Sequence, residues 1–308
     1  MLDMTSGTTS RGELIPIGEF AEPSFVRLPE PVLLFRKRAE RMRALAAGHT
    51  LAPYLTFLAE LTAIQERLAT DLSLPRWLPT EQLAGATGTT EPPVARGRFP
   101  VDESVVAVAD ALLAALADVA IPQATRETVE RLKAADATMR QAALQRALAE
   151  PAPADALAEH ALLSAALQVT FSGIAATLRP ERLLPLADGG CPVCGSPPLA
   201  SLVVGWPGAR GTRYCACGLC GSLWNYVRIK CTLCSSTQGI AYLGVEGDPG
   251  TVKAETCDSC GSYVKILHQH TDPALDPVAD DVATLGLDLL VRKAGFRRGA
   301  FNPFLVGY

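Results

Sequence analysis

Apolar residues recur at helical spacing through the first 180 positions. PVLLFRKRAERMRALAA, at 31–47, predicts a helix ended by Gly48, a natural C-terminal cap. Leu51, Leu55, Leu58, Leu61, Ile64 and Leu68 form an apolar stripe that predicts a second helix over about 51–70. Pro75, Pro79, Pro92, Pro93 and Pro100 break the pattern and mark 71–100 as loop and short turns. Periodicity resumes over 102–120 and 125–150, is interrupted by Pro151 and Pro153, and continues from an Asp155 cap to Leu178, with Arg179-Pro180 closing the bundle. Residues 1–30, rich in Pro and Gly, read as an extended arm. From 191 the pattern changes to short alternating segments with turn residues, the mark of small β-structure.

One run needs weighing as a membrane span. Ala161 to Leu178 carries no charge and is about long enough to cross a bilayer. Its large residues Leu163, Leu167, Phe171, Ile174 and Leu178 fall at spacings of 4, 4, 3 and 4, and Ser164, Gln168, Thr170, Ser172 and Thr177 lie between them. That pattern predicts a one-sided core helix, so no membrane insertion is expected. The first twenty residues lack the basic start, apolar stretch and cleavage site of a secretory signal, which points to the reducing cytoplasm.

The 308 residues include 28 basic and 32 acidic side chains, a net charge of −4, so there is no global basic field to hold a nucleic acid. All nine cysteines lie between 191 and 260. They form CPVCGS at 191–196, CGLCGS at 217–222, CTLCSS at 231–236 and CDSCGS at 257–262. Cys191, Cys194, Cys217 and Cys220 recur 40 residues later as Cys231, Cys234, Cys257 and Cys260, a tandem repeat of one module. Two residues between cysteines let a tight turn aim both sulfurs at one point, and the small residue that follows lets backbone amides face the thiolates. Two such knuckles per module supply four sulfurs to one metal ion. The core of each module is too small to fold alone, so ligation and folding should be coupled. Tetrahedral sulfur suits zinc or a mononuclear iron: either two zinc ribbons that staple a platform, or a pair of rubredoxin-like iron centres capable of one-electron chemistry.

Cys215 stands outside the repeat, with Glu255 at the matching position of the second module, and reads as a free thiol. Each module continues into an aromatic and basic segment: Trp224, Tyr226, Arg228 and Lys230 in one, Tyr263, Lys265, His268 and His270 in the other. Strand alternation would place one set on an exposed face, for packing or for a partner protein. Residues 191–308 hold 10 basic and 9 acidic side chains, which argues against RNA there. The helical half has no catalytic constellation, and His49 and His160 read as ordinary surface or core histidines. The fold class predicted is α+β in two domains: an all-α bundle with its arm (1–185), tandem rubredoxin-like or zinc-ribbon β modules (186–230 and 231–270), and a short helical tail packed on the modules (271–308). The tail helix near 280–294, capped by Gly295, could present Asp280 and Asp281 to a partner.

Most of the chain resembles the FdhE family of formate dehydrogenase accessory (formation) proteins. The resemblance rests on FRKRAERMRALAAGHTLAPYLTFLAELTAIQ at 35–65, CPVCGSPP, RYCACGLCGSLWNYVRIKC, CTLC, ETCDSCGSYVK, DPVADDVATLGLDLL at 276–290 and GFRRGAFNP at 295–303. It implies a cytoplasmic, non-catalytic maturation factor that contacts the catalytic subunit of a respiratory formate dehydrogenase. It also implies rubredoxin-like iron on Cys191, Cys194, Cys217 and Cys220 and on Cys231, Cys234, Cys257 and Cys260. Cys215 departs from the family pattern. The rival readings are a stand-alone electron carrier and a purely structural zinc platform. No nucleophile–base pair, glycine-rich phosphate loop or flavin fingerprint supports independent catalysis.

Overall fold

A computed structural model describes residues 23–71, 91–149, 156–186, 189–300 and 302–305. Most of the expected arm, the Asp155 cap and Pro75, Pro79, Pro151 and Pro153 lie outside the described residues.

Helices α1 (Pro31–Ala46) and α2 (Ala52–Thr70) each have proline in the first turn, where the missing amide costs nothing. Gly48 takes φ +72° between them, as a C-terminal cap requires. Helix α3 (Glu103–Ala115) starts at Asp102, whose carboxylate accepts from the Ser104 amide at 2.9 Å. The helix expected over 125–150 is two: α4 (Gln123–Ala134) and α5 (Ala137–Ala147). The break falls at Asp136, whose side chain accepts from the Met139 amide at 2.8 Å and caps α5. An aspartate in a run of good helix formers was the available signal. Helix α6 (Leu157–Ala175) carries the uncharged run and is buried on all sides rather than one. It lies at the centre of the bundle, so its even hydropathy reflects neighbours all round. No described helix is long and apolar enough to cross a membrane.

Among the described residues the β-structure is one sheet, where the repeat suggested two separate modules. Strands β2 (Pro198–Val203), β3 (Arg213–Cys217) and β4 (Leu223–Asn225) form an antiparallel meander, and β5 (Ile240–Leu243), β6 (Val252–Cys257) and β7 (Ser262–Leu267) repeat it. The meanders join through β2 and β7, which run parallel with Ala200 opposite Lys265 and Leu202 opposite Leu267. Short strands complete each meander at equivalent places. β1 (Val26–Arg27), from the arm, pairs antiparallel with β4, while β8 (Arg297–Arg298), from the tail, pairs parallel with the start of β7. The order is β1-β4-β3-β2-β7-β6-β5, with β8 off this path.

One apolar core runs from Phe35, Leu58, Leu112, Leu167 and Phe171 in the helices to Val193, Leu199, Leu202 and Tyr214 beside the first cysteines. The helical and cysteine-rich parts are therefore fused. The tail forms two short helices, α7 (Ala279–Ala283) and α8 (Leu285–Lys293). α7 packs on α1 and α2 as well as against the modules, and Gly295 follows α8 at φ +95°.

Candidate metal centres

Each module folds its two knuckles onto one point. Cys191, Cys194, Cys217 and Cys220 bring their sulfurs within 4.8 Å of one another, and so do Cys231, Cys234, Cys257 and Cys260. In the first group the Cys191–Cys220 and Cys194–Cys217 sulfurs are 3.5 and 3.4 Å apart; the equivalent pairs in the second are 3.9 and 3.7 Å apart. A tetrahedron of sulfurs around a metal with bonds of roughly 2.3 Å has edges of about 3.8 Å. The donor set and spacing therefore fit one ion per group, zinc or iron.

Local chain geometry explains the convergence. Gly195, Gly221 and Gly261, each directly after the second cysteine of its knuckle, take φ of +75°, +73° and +62°; at the third knuckle, 231–236, Ser235 takes +60° in that place. This turn brings backbone amides onto sulfur: Leu219 and Cys220 donate to Cys217 and Leu233 to Cys231, each at 3.4 Å.

The surroundings of the two groups differ. All four cysteines of the first are buried. The helical body clamps both knuckles: the Val94 and Arg96 amides donate to the Val193 and Cys194 carbonyls at 2.9 Å, and the Gln168 side chain of α6 donates to the Gly218 carbonyl at 2.7 Å. At φ +73° Gly221 sits where a side chain is strained, and an added Cβ would lie 2.6 Å from Leu34 Cδ2 of α1. The Ser196 and Ser222 hydroxyls lie 3.3 Å from the Cys194 and Cys220 sulfurs. In the second group Cys234 is exposed and Cys260 half-buried. Its knuckles are held by the end of the first module and the tail: Tyr226 Oη donates to the Cys231 carbonyl at 3.3 Å and the Arg297 amide to the Gly261 carbonyl at 2.9 Å. Ser236 there bonds Ser259 at 2.9 Å, not a cysteine sulfur.

Cys215 belongs to neither group. It is buried in β3 opposite Ser201 and Trp224, and burial pushes its thiol up to about 12. Its repeat counterpart, Glu255, accepts from buried Arg213 at 2.7 Å, a pair that ties the two modules together.

The exposed face expected from alternation is corrected. Trp224 is 2% exposed and donates through Nε1 to the Gly189 carbonyl at 3.2 Å. Tyr263 and Lys265 are buried because β7 is covered on both faces. Asp280 and Asp281 are buried as well and are taken up inside the chain. Asp280 accepts from Arg41 of α1 at 2.7 Å. Asp281 and Asp288 face Lys265 and Arg298, with Lys265 Nζ 3.1 Å from Asp281 and 2.5 Å from Asp288. Burial alone would raise the Asp281 carboxyl, but Arg298 and Lys265 beside it, with the Asn302 amide, hold it below the ordinary carboxylate range. Trp224, Tyr263, Asp280 and Asp281 therefore offer no partner surface. Tyr226 is half-buried and Arg228 exposed. Missing from the sequence reading were Val227, Ile229 and Tyr242, at 53%, 69% and 47% exposure; only their departure from the apolar-inside pattern could have flagged them. His49 joins α1–α2 to the tail, its Nε2 lying 3.0 Å from the Ala283 carbonyl. His160 is buried in α6, where burial lowers its pKa.

Comparison with known proteins decides the family. Family signatures described as "FdhE, N-terminal", "FdhE, central domain" and "FdhE, C-terminal domain" match residues 23–188, 190–228 and 229–305. The chain belongs to the FdhE family. A protein named "Protein FdhE homolog" from Rhizobium meliloti (strain 1021) is 42% identical over 294 residues, covering 95% of this chain and 96% of that one. Another of that name from Edwardsiella ictaluri (strain 93-146) is 38% identical, covering 96% and 93%. The crystal structure of the FdhE protein from Pseudomonas aeruginosa superposes with a TM-score of 0.81 at 33% identity, over 92% of this chain and 99% of that one. The helical body, single sheet and helical tail are thus an FdhE fold, and both four-cysteine groups lie within the matched central and C-terminal parts.

Proposed function

We propose that this FdhE-family chain is an accessory factor for a formate dehydrogenase: it binds the catalytic subunit and supports its assembly or activation, and is not itself a catalyst. The observation that carries this reading is the pair of four-sulfur groups on one sheet fused to a helical body, within a chain of this family. Cys191, Cys194, Cys217 and Cys220 hold one metal ion, and Cys231, Cys234, Cys257 and Cys260 the other. Bound iron would supply one-electron chemistry; zinc would supply shape alone. We favour iron. Eight thiols converging in two groups without a disulfide suit a reducing, cytoplasmic setting. Arg228, with the exposed Val227, Ile229 and Tyr242, is the surface offered to the client.

Elemental analysis and absorption spectroscopy of protein prepared anaerobically with ample iron test the metal: two ions per chain with ferric tetrathiolate absorption are expected. Two tightly held zinc ions in a colourless protein would defeat the iron reading. Capture of a formate dehydrogenase catalytic subunit by the full chain tests the partner. Cys→Ser changes in either module should weaken capture, and undiminished capture by a folded, metal-free variant would show that the metal centres are dispensable for binding.

A further inference from the structure

The two sulfur groups share one spacing and one knuckle design, yet their access to solvent is opposite. In the first, every sulfur is buried, two serine hydroxyls stand 3.3 Å from sulfur, and both knuckles are bonded to the helical body. In the second, Cys234 is exposed, Cys260 half-buried, the matching serines Ser236 and Ser262 bond Ser259 and the Cys260 carbonyl rather than sulfur, and no hydrogen bond described reaches the helical body. We propose that the centres have divided roles: the first locks the fold, and the second is the exchangeable one, addressed through the Cys234 sulfur. The inference rests on both groups binding metal.

Three features give it direction. Cys234 is the sulfur that an entering donor, such as a thiolate or a chelator nitrogen, can reach; as the donor's bond to the metal formed, the metal–Cys234 bond would break and the freed thiolate would take a proton from water. The other three sulfurs keep their places during the exchange because Cys231 and Cys257 are buried and the tail holds Gly261. Both groups have nearly metal-sized sulfur spacing, 3.7 and 3.9 Å in the second and 3.4 and 3.5 Å in the first, so what separates them is exposure and anchoring. Any opening there stays local, whereas exposing the first group requires separating the module from α1 and α6.

The full chain loaded with two zinc ions provides the test. Elemental analysis establishes the loading. Release to the coloured chelator 4-(2-pyridylazo)resorcinol is then followed in native buffer, and iodoacetamide labelling of the same sample is mapped by mass spectrometry over time. One equivalent should leave at least about tenfold faster than the other, with Cys234 and then Cys260 labelled while Cys191, Cys194, Cys217 and Cys220 remain protected. A single rate for both equivalents, or first labelling within the first group, overturns the division of roles while leaving metal binding intact. Loading below two equivalents would defeat the metal reading itself and the inference with it. Wild-type labelling gives this answer without any variant that must fold.

Discussion

The first and second four-cysteine groups are built from the same repeat, 40 residues apart, and end in different physical states. The first lies between the sheet and the helices, with its knuckles bonded to α6 and to the segment before α3. The second is held by the tail and by Tyr226 of the first module, and one of its sulfurs faces solvent. Identical ligand spacing therefore says nothing about how firmly a centre is held; packing around the knuckles decides that.

Ligand removal separates the two most sharply. Cys217→Ser should abolish the cooperative unfolding transition followed by circular dichroism, a loss on the order of 5 kcal/mol or more, because it opens the common core. Cys234→Ser should keep the transition and cost about 1–2 kcal/mol, since water can solvate the altered ligand. Equal losses would erase the comparison.

The buried quartet of Lys265, Arg298, Asp281 and Asp288 is the next lever. Lys265→Met leaves two buried carboxylates facing one guanidinium and should cost about 3–5 kcal/mol in urea unfolding. It should also loosen the second centre before the first, because β8 reaches the second knuckle through Gly261.

Acid probes the same quartet without mutation. With its folded pKa held below the ordinary 3.8, Asp281 contributes stability that is fully present above that value and is lost as pH falls through the folded value. Thermal melts should therefore lose Tm only in the acid range, and Asp281→Asn should flatten that slope; an unchanged slope would remove Asp281 from the account.

The smallest effect is expected at the third knuckle. Ser235→Gly relieves a side chain held at φ +60° but removes its 3.0 Å hydrogen bond to Tyr226, a net stabilisation of about 1 kcal/mol or less. Gly221→Ala, in the first group, should instead destabilise, because a Cβ is strained at φ +73° and would also press on Leu34. Opposite signs in a chemical-denaturation series would confirm that one knuckle design meets two different surroundings.

The sequence by itself determined the helix-then-strand order, the eight converging sulfurs and the repeat that groups them four by four, because these follow from local periodicity and from spacing within a turn. It could not tell which charges are internal. The arginines of α1 and the aspartates of the tail look like solvated runs, yet Arg38 meets Asp276 at 3.2 Å and Arg41 meets Asp280 at 2.7 Å across more than 230 residues. Trp224, Tyr263 and Lys265 alternate like an exposed face, yet both sides of their sheet are covered. Burial depends on contacts between segments far apart in the chain, and a local pattern carries no record of them. The tertiary structure alone decided that the two modules share one sheet through β2 and β7, and that one metal centre is enclosed while the other is open.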